Sequence, residues 1–349
     1  MLDVKIRIKR GELTIKPSSD DQLHVESDPP LIPELQGSTA VIDAQSISRS
    51  VHATIFVPVP MGSLDASIGL GPCVISSLSI KDADLDLGLG SLTVESSQGE
   101  WDADLGKGDA TFTNVRGPMD IDTGMGRLTL RHVQGRAEVN SGLGPVEVFE
   151  SQGHFKLSAG KGNILWQSVK GSGTIHAGMG TVTITDSQGA KLEIKSGLGQ
   201  ARVTNGSWEK VTVDTGVGDI RVDGSISHLE ASAKQRGHIH VSLSEPLDAR
   251  IEASTERGRI ISSLNLMPVG HAGPQRGERV VGVLGEGTGE VKIHTRRGDI
   301  TLDGTSLPKA PAPQEADERL AILQELQQGT LSVDEADALL SALGPTPSV

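Results

Sequence analysis

A Gly-x-Gly pair returns every 18 or 19 residues through the middle of this 349-residue chain. The pairs are Gly69/Gly71, Gly88/Gly90, Gly106/Gly108, Gly124/Gly126, Gly142/Gly144, Gly160/Gly162, Gly178/Gly180, Gly197/Gly199 and Gly216/Gly218. A second set falls midway, at Gly99, Gly117, Gly135, Gly153, Gly171, Gly189, Gly206 and Gly224. A fixed period of about 20 residues marks a solenoid, in which each repeat packs only on its neighbours. Such a molecule presents repetitive faces and two ends rather than a deep pocket.

One repeat, residues 91–108, shows how the coil is built. Leu92 and Val94 alternate with Thr93 and Glu95, and Trp101, Ala103 and Leu105 alternate with Asp102 and Asp104. Period-two alternation predicts a strand with one buried face. Glycines between the halves predict tight turns. The coil therefore reads strand–turn–strand–turn, and the phase persists. One predicted inward stack runs Trp101, Met119, Ala137, Phe155, Gly173, Leu192 and Val211, and another runs Val94, Phe112, Leu130, Val148, Trp166, Ile184, Val203 and Val222. An apolar period of nine plus nine excludes a hexapeptide helix. The missing double glycine and sparse following aspartates (Asp109 and Asp219 alone) argue against a calcium β-roll. The expected fold is all-β, a two-faced parallel β-solenoid of 18–19 residues per coil, with a small C-terminal α-helical hairpin.

Composition agrees with a thin aliphatic core. Aromatics are 2% and tyrosine is absent, while glycine reaches 43 residues. A net charge of −13 disfavours nucleic acid or an anionic lipid surface as a partner. The single cysteine, Cys73, forms no intramolecular disulfide and falls at an inward position. No signal peptide and no membrane-length apolar run is read, so cytoplasmic residence is expected, with surface display as the alternative.

Residues 1–60 are strand-like but off the period and read as an N-terminal β cap; 61–303 read as the solenoid. Residues 266–289, rich in Gly and Pro, look like an excursion before a last coil at 290–303. Residues 304–316 read as a Pro/Ala linker. Residues 317–344 read as the helical hairpin, with a capping box at Ser332 and Glu335. Its apolar positions Leu320, Leu323, Leu326, Leu339, Leu340 and Leu343 are the candidate partner interface, for self-association or for docking on another protein.

Ala53-Thr-Ile-Phe-Val-Pro-Val-Pro-Met-Gly-Ser-Leu-Asp-Ala-Ser-Ile-Gly-Leu-Gly71, the Gly-x-Gly coils and the closing Thr295-Arg-Arg-Gly-Asp-Ile-Thr-Leu302 resemble the bacterial "putative adhesin" β-strand-repeat family, over roughly residues 40–303. Arg319 to Leu343 is similar to SHOCT-like bihelical domains. The resemblance implies a β-repeat fold with no agreed catalytic residues and a link to cell-envelope stress.

The sharpest chemical feature is a carboxylate ladder. Asp65, Asp84, Asp102, Asp120 and Glu138 share one outward position, followed by Lys156; Asp86, Asp104 and Asp122 share another, followed by Asn140. Stacked like charges are mutually destabilising. The strip reads as a solvated face, as a surface for a basic partner, or as a weak multi-site strip for divalent cations. In the cation reading the ligands are Asp84, Asp102, Asp104, Asp120, Asp122 and Glu138. His238 and His240, with His294 in a later coil, are read as exposed strand histidines rather than a metal site. Arg297-Gly298-Asp299 spells an integrin-type motif, yet Gly218-Asp219 repeats its Gly-Asp, so it reads as turn leading into strand. No catalytic motif and no cofactor is expected. The predicted function is a non-enzymatic scaffold or binding solenoid; the alternative is a surface-displayed adhesin or glycan binder.

Overall fold

Each nine-residue half-repeat becomes a strand, and each coil adds one strand to either of two facing sheets. The structure, a computed structural model, describes residues 1–269 and 277–306. Leu92 pairs in parallel with Cys73 on one side and Ala110 on the other, and Trp101 pairs with Ala83 and Met119. Alternate residues point between the sheets, so the core is one continuous column from Val4 to Leu302. The chain is a parallel β-solenoid, and Cys73 and Trp101 are buried in it as their alternation predicts.

Backbone bonds along the axis hold coil to coil. The amide of Gly108 donates to the carbonyl of Met125 at 2.8 Å, and that of Leu92 to Asp109 at 2.9 Å. The second glycine of the pair is required by crowding as well as by conformation. Gly108 has φ +151°, and a Cβ there would lie 1.7 Å from the Gly90 carbonyl oxygen. A side chain at this position would push neighbouring coils apart.

At the opposite edge non-glycine residues take the left-handed turn position, three residues ahead of the second glycine set (Gly99, Gly117, Gly135, Gly153 and Gly171). Ser77, Ser96, Asn114, His132, Glu150, Ser168, Asp186 and Asn205 stack in the left-handed region, with φ between 49° and 60°. Asn, Asp and His enter that region more readily than other side chains, which suits four of the eight. The backbone amides from Ser77 to Asp186 in this row still bond along the axis, as Ser168 does to the Thr185 carbonyl at 3.1 Å.

Packing across the core is complementary in volume. A Cβ at Gly173 would lie 2.6 Å from the Trp166 ring, and Phe155 meets the same ring edge-on at a centroid distance of 5.3 Å. The large indole occupies the space that glycine vacates in the facing sheet.

Both ends of the solenoid are built inside out. The first strands are β1 (Asp3–Ile8), β2 (Gly11–Pro17), β3 (His24–Asp28), β4 (Glu34–Gln36), β5 (Thr39–Ala44), β6 (Val51–Val57), β7 (Met61–Leu70) and β8 (Cys73–Ser76). β1 lies between β5 and β7, and β2 between β6 and β8, all parallel. The first coil in sequence is thus the second in space. β3 and β4 then cover β6 and β5 as antiparallel strands. The segment 1–60, read as a cap off the period, holds these two coils in solenoid register together with the antiparallel cover.

At the other end, Gly289–Thr295 inserts between residues 228–233 and Ala249–Thr255, and Ile300–Ser306 inserts between Ile239–Leu247 and Ile260–Ser262. The antiparallel strand Glu278–Leu284 covers Ala249–Thr255. Antiparallel covers of this kind occupy edges that would otherwise template further pairing.

One expectation is corrected. A solenoid joined to a C-terminal α-helical hairpin was predicted, but the fold found is all-β, with no helix among the described residues. Residues 317–344, with Leu320, Leu323, Leu326, Leu339, Leu340, Leu343 and the SHOCT-like stretch, lie outside the described residues. The short Leu spacing and the capping box are local signals, and local signals alone do not establish a helix without packing. Among the described residues no helix is long and apolar enough to cross a membrane.

Two substitutions test this packing by thermal and chemical denaturation. Ser168→Gly, at a left-handed position, is expected to stabilise the fold by about 1 kcal/mol. Gly173→Val is expected to destabilise it by about 1–3 kcal/mol through collision with Trp166.

Candidate functional site

The register turns the carboxylate ladder into a measurable array. Asp65 pairs with Asp84, Asp84 with Asp102, Asp102 with Asp120, and Asp120 with Glu138. In the parallel row two residues on, Asp86, Asp104 and Asp122 stack in the same order. Parallel, in-register strands stack equivalent residues directly, about 4.8 Å apart.

The first row is closed by cations at both ends. Lys5 of β1 pairs with Asp65 in the register and bonds its carboxylate. Lys156 does the same for Glu138, which also has Arg136 at 3.6 Å. In the second row, Asn140 donates to Asp122 at 2.8 Å. Between these ends Asp84, Asp86, Asp102, Asp104, Asp120 and Asp122 form no ion pair among the described residues. Desolvation among their neighbours, followed by the charge of adjacent aspartates, pushes the carboxyls of Asp102 and Asp104 above the usual range. The same causes raise Asp120 against a partial offset from Lys156 and Arg136. The hydrogen bond from Lys156 holds Glu138 below it.

Two features adjoin the array. The first glycines of the pairs, Gly88, Gly106, Gly124, Gly142 and Gly160, place no side chains beside the second acidic row. A shallow groove of about 690 Å³ runs along the axis there, lined by Asp86, Asp104, Asp122, Asn140 and Ser158 with those glycines. It continues past Ser158 as a stretch of about 580 Å³ lined by His176, Lys195, Asp214 and Lys234, where the charges are mixed. One residue further on, the middle positions of the pairs form a ridge along the solenoid edge. Leu70, Leu89, Met125, Leu143, Met179 and Leu198 are 41–51% exposed, although aliphatic. Lys107 and Lys161 stand in the same row.

The sequence reading missed the ridge and the Lys5 cap. The ridge is visible in the sequence as an apolar residue inside most Gly-x-Gly pairs, at positions that continued alternation would turn inward. They lie past the end of the core, where an inward direction no longer means burial. Lys5 was hidden because its coil is second in space and first in sequence.

The array does not make a metal centre. Among the described residues no three His, Cys, Asp or Glu side chains converge to hold an ion, and this includes the candidates Asp84, Asp102, Asp104, Asp120, Asp122 and Glu138. A pleated sheet points its outward carboxylates side by side, whereas hard cations need six to eight oxygens around one point.

The other candidates resolve individually. His238 accepts the Asp299 amide at Nδ1 (3.1 Å), and His240 lies 3.7 Å from Asp303. His294 is in the facing sheet, with Nδ1 3.0 Å from the Ser254 hydroxyl. The Asp299 carboxylate accepts the Arg259 amide at 2.9 Å, just as Asp109 accepts Arg127, Asn163 accepts Thr181 and Asp219 accepts His238. The Arg-Gly-Asp aspartate therefore serves a repeated turn bond. Cys73 is fully buried, and burial pushes its thiol up to about 12. A second, polar groove on the opposite edge is lined by Ser96, Gln98, Asn114, Arg116 and His132. Its lining holds no Phe or Trp ring, and Trp101, Trp166 and Trp208 are all buried.

Residues 137–303, a little under half of the chain, match the Toastrack DUF4097 family. The match begins in the coil of Glu138, so the aspartate array from Asp65 to Asp122 lies outside it. No curated protein matches the chain. Among solved structures, a "putative cell adhesion protein" from Clostridium sporogenes is similar at 9% identity, over 87% of this chain and 92% of that one, with a TM-score of 0.14, too low to argue from.

Mutual repulsion makes a signed prediction. Asp104→Asn removes one charge from the centre of the array and is expected to stabilise the fold by about 0.2–1 kcal/mol at neutral pH. A carboxyl with a raised pKa binds protons more readily folded than unfolded, so its penalty is full at neutral pH and fades as pH falls through the raised value. The melting-temperature gain of Asp104→Asn is therefore expected to shrink on acidification and on addition of salt, as followed by circular dichroism.

Proposed function

We propose that this chain is a non-enzymatic binding scaffold that presents one long face of a rigid solenoid to a protein partner. The observation that carries this reading is the juxtaposition of uncompensated charge and exposed aliphatic surface. Six aspartates without ion pairs among the described residues stand near a row of exposed Leu and Met, which Lys107 and Lys161 interrupt, along one edge. Neither feature helps the isolated fold: the charges repel one another, and aliphatic side chains in water forgo burial. Exposed aliphatic side chains that recur along one edge favour an interaction site. The carboxylates lie in rows on a flat face, not paired across a cleft as acid and base catalysis of glycoside hydrolysis requires.

The location that fits this reading is the cell interior, with a connection to envelope stress drawn from the family resemblance. A second reading is a surface-displayed adhesin, drawn from the resemblance of the Gly-x-Gly coils to the adhesin-type β-strand-repeat family. Its glycan-binding form gains nothing from the polar groove, which lacks the exposed aromatic rings on which sugars stack.

Cell fractionation with the full chain separates the two locations: recovery in the soluble interior fraction is expected, and surface accessibility to added protease favours the adhesin. The scaffold reading is tested by cross-linking in cells followed by capture of the full chain. A partner held by the wild type and lost on Leu89→Ser/Met125→Ser/Leu143→Ser is expected. Turnover in a hydrolase screen that disappears on Asp102→Asn would overturn it.

A further inference from the structure

We infer that three stacked arginines at the C-terminal end of the solenoid, Arg236, Arg297 and Arg257, hold the acidic segment 315–318 of the same chain. This contact lies far along the axis from the acidic array and does not depend on the binding-scaffold reading.

Topology makes the row. Each of the three arginines precedes the glycine that closes its coil, Gly237, Gly298 or Gly258. The Gly237 amide donates to the Arg297 carbonyl at 3.0 Å, and the Gly298 amide to the Arg257 carbonyl at 3.0 Å, so Arg297 lies between the other two. Insertion of Gly289–Thr295 between its neighbours brings it there out of sequence order. From Leu70 to Val217 the same position holds Leu, Met, Val or Lys. All three arginines are exposed.

The carboxylates nearby are engaged elsewhere. Glu256 pairs with Arg296 at 3.4 Å, Asp214 with Lys234 at 3.0 Å and Glu252 with Arg279 at 2.8 Å, while Asp299 accepts the Arg259 amide. Arg236, Arg257 and Arg297 form no ion pair among the described residues. Equivalent residues of neighbouring coils stand about 4.8 Å apart, so the row carries like charges that repel one another.

The chemistry of the row selects an anion. Guanidinium groups present paired donors that match a carboxylate or a phosphate. A large free polyanion is opposed by the net charge of −13. A single-stranded nucleic acid would also use rings to stack its bases, and Trp101, Trp166 and Trp208 are buried. An anion tethered to the same chain meets neither obstacle, because a short linker supplies it at an effective concentration on the order of millimolar.

The length and charge of the chain beyond Ser306 suit this role. Ile300–Ser306 starts at the edge that carries the arginines and leads about 20 Å towards the opposite edge, at about 3.3 Å per residue. Between Ser306 and Glu315 stand Pro308, Pro311 and Pro313. A proline-rich stretch of that length reaches about 28 Å at about 3.1 Å per residue, enough to return to the row. Glu315, Asp317 and Glu318 follow, and residues 307–325 hold only Lys309 and Arg319 as cations. An extended chain covers about 10 Å from Glu315 to Glu318, the same as two coil intervals and hence as the arginine row.

The test uses the full chain with nitroxide labels at Gln235→Cys, beside Arg236, and at Ala316→Cys, between Glu315 and Asp317. Cys73 is buried and takes no label. Pulsed electron paramagnetic resonance at low salt is expected to give a narrow, short-distance peak. That peak is expected to vanish at high salt, in Arg236→Gln/Arg257→Gln/Arg297→Gln and in Glu315→Gln/Asp317→Asn/Glu318→Gln. The three arginines are exposed, and retained β-type circular dichroism confirms that the variants fold. A broad distribution in the parent chain, or a peak that persists in either charge variant, would overturn the inference. A peak that disappears when labelled chain is diluted with unlabelled chain would assign the row to a second copy and overturn it as well. None of these outcomes touches the scaffold reading, whose capture experiment changes Leu89, Met125 and Leu143 instead.

Discussion

The axial ladder of backbone hydrogen bonds is the constraint on which everything else in this molecule depends. Every coil must sit one strand spacing from the next, about 4.8 Å, for amides such as Gly108 to reach carbonyls such as Met125. At that spacing the turn beside the core has no room for a Cβ, which is why Gly108 stacks on Gly90. The same spacing forces identical outward residues into contact range. A sequence that repeats aspartate at one coil position therefore acquires a charged row as a consequence of its backbone.

The fold tolerates this row by restricting it. The array ends at Lys5 and Lys156, which neutralise Asp65 and Glu138, and Asn140 satisfies Asp122 from the next coil. What remains is a short uncompensated block beside a groove that has no side chains on its floor. Repulsion among stacked carboxylates is individually modest, and the continuous apolar column beneath them supplies far more stability than the row removes. The protein can thus carry a surface tuned for another molecule without losing its own fold.

The repeat phase was legible because alternation and period are strong, regular signals. The stacks of Trp101 with Met119 and of Val148 with Trp166 follow from counting alone, and the register confirms them. Counting failed where it assumed that sequence order is spatial order. Chain ends that insert one layer in from the tip, as β1 and Gly289–Thr295 do, leave no local signature. The left-handed row from Ser77 to Asn205 escaped for a different reason: its residues are chemically ordinary, and only their stacked turns dictate the conformation.

By itself the sequence determined the parallel coil, its inward and outward positions and the vertical stacking of aspartates, because these depend on periodicity and on the strand spacing of any parallel sheet. Only the tertiary structure decided which side chains close the acidic row, that the middle residues of the Gly-x-Gly pairs stand exposed, and that the carboxylates line a groove instead of enclosing an ion. Those features depend on where the core ends and which distant segment lies beside each coil, and neither is written in any one repeat.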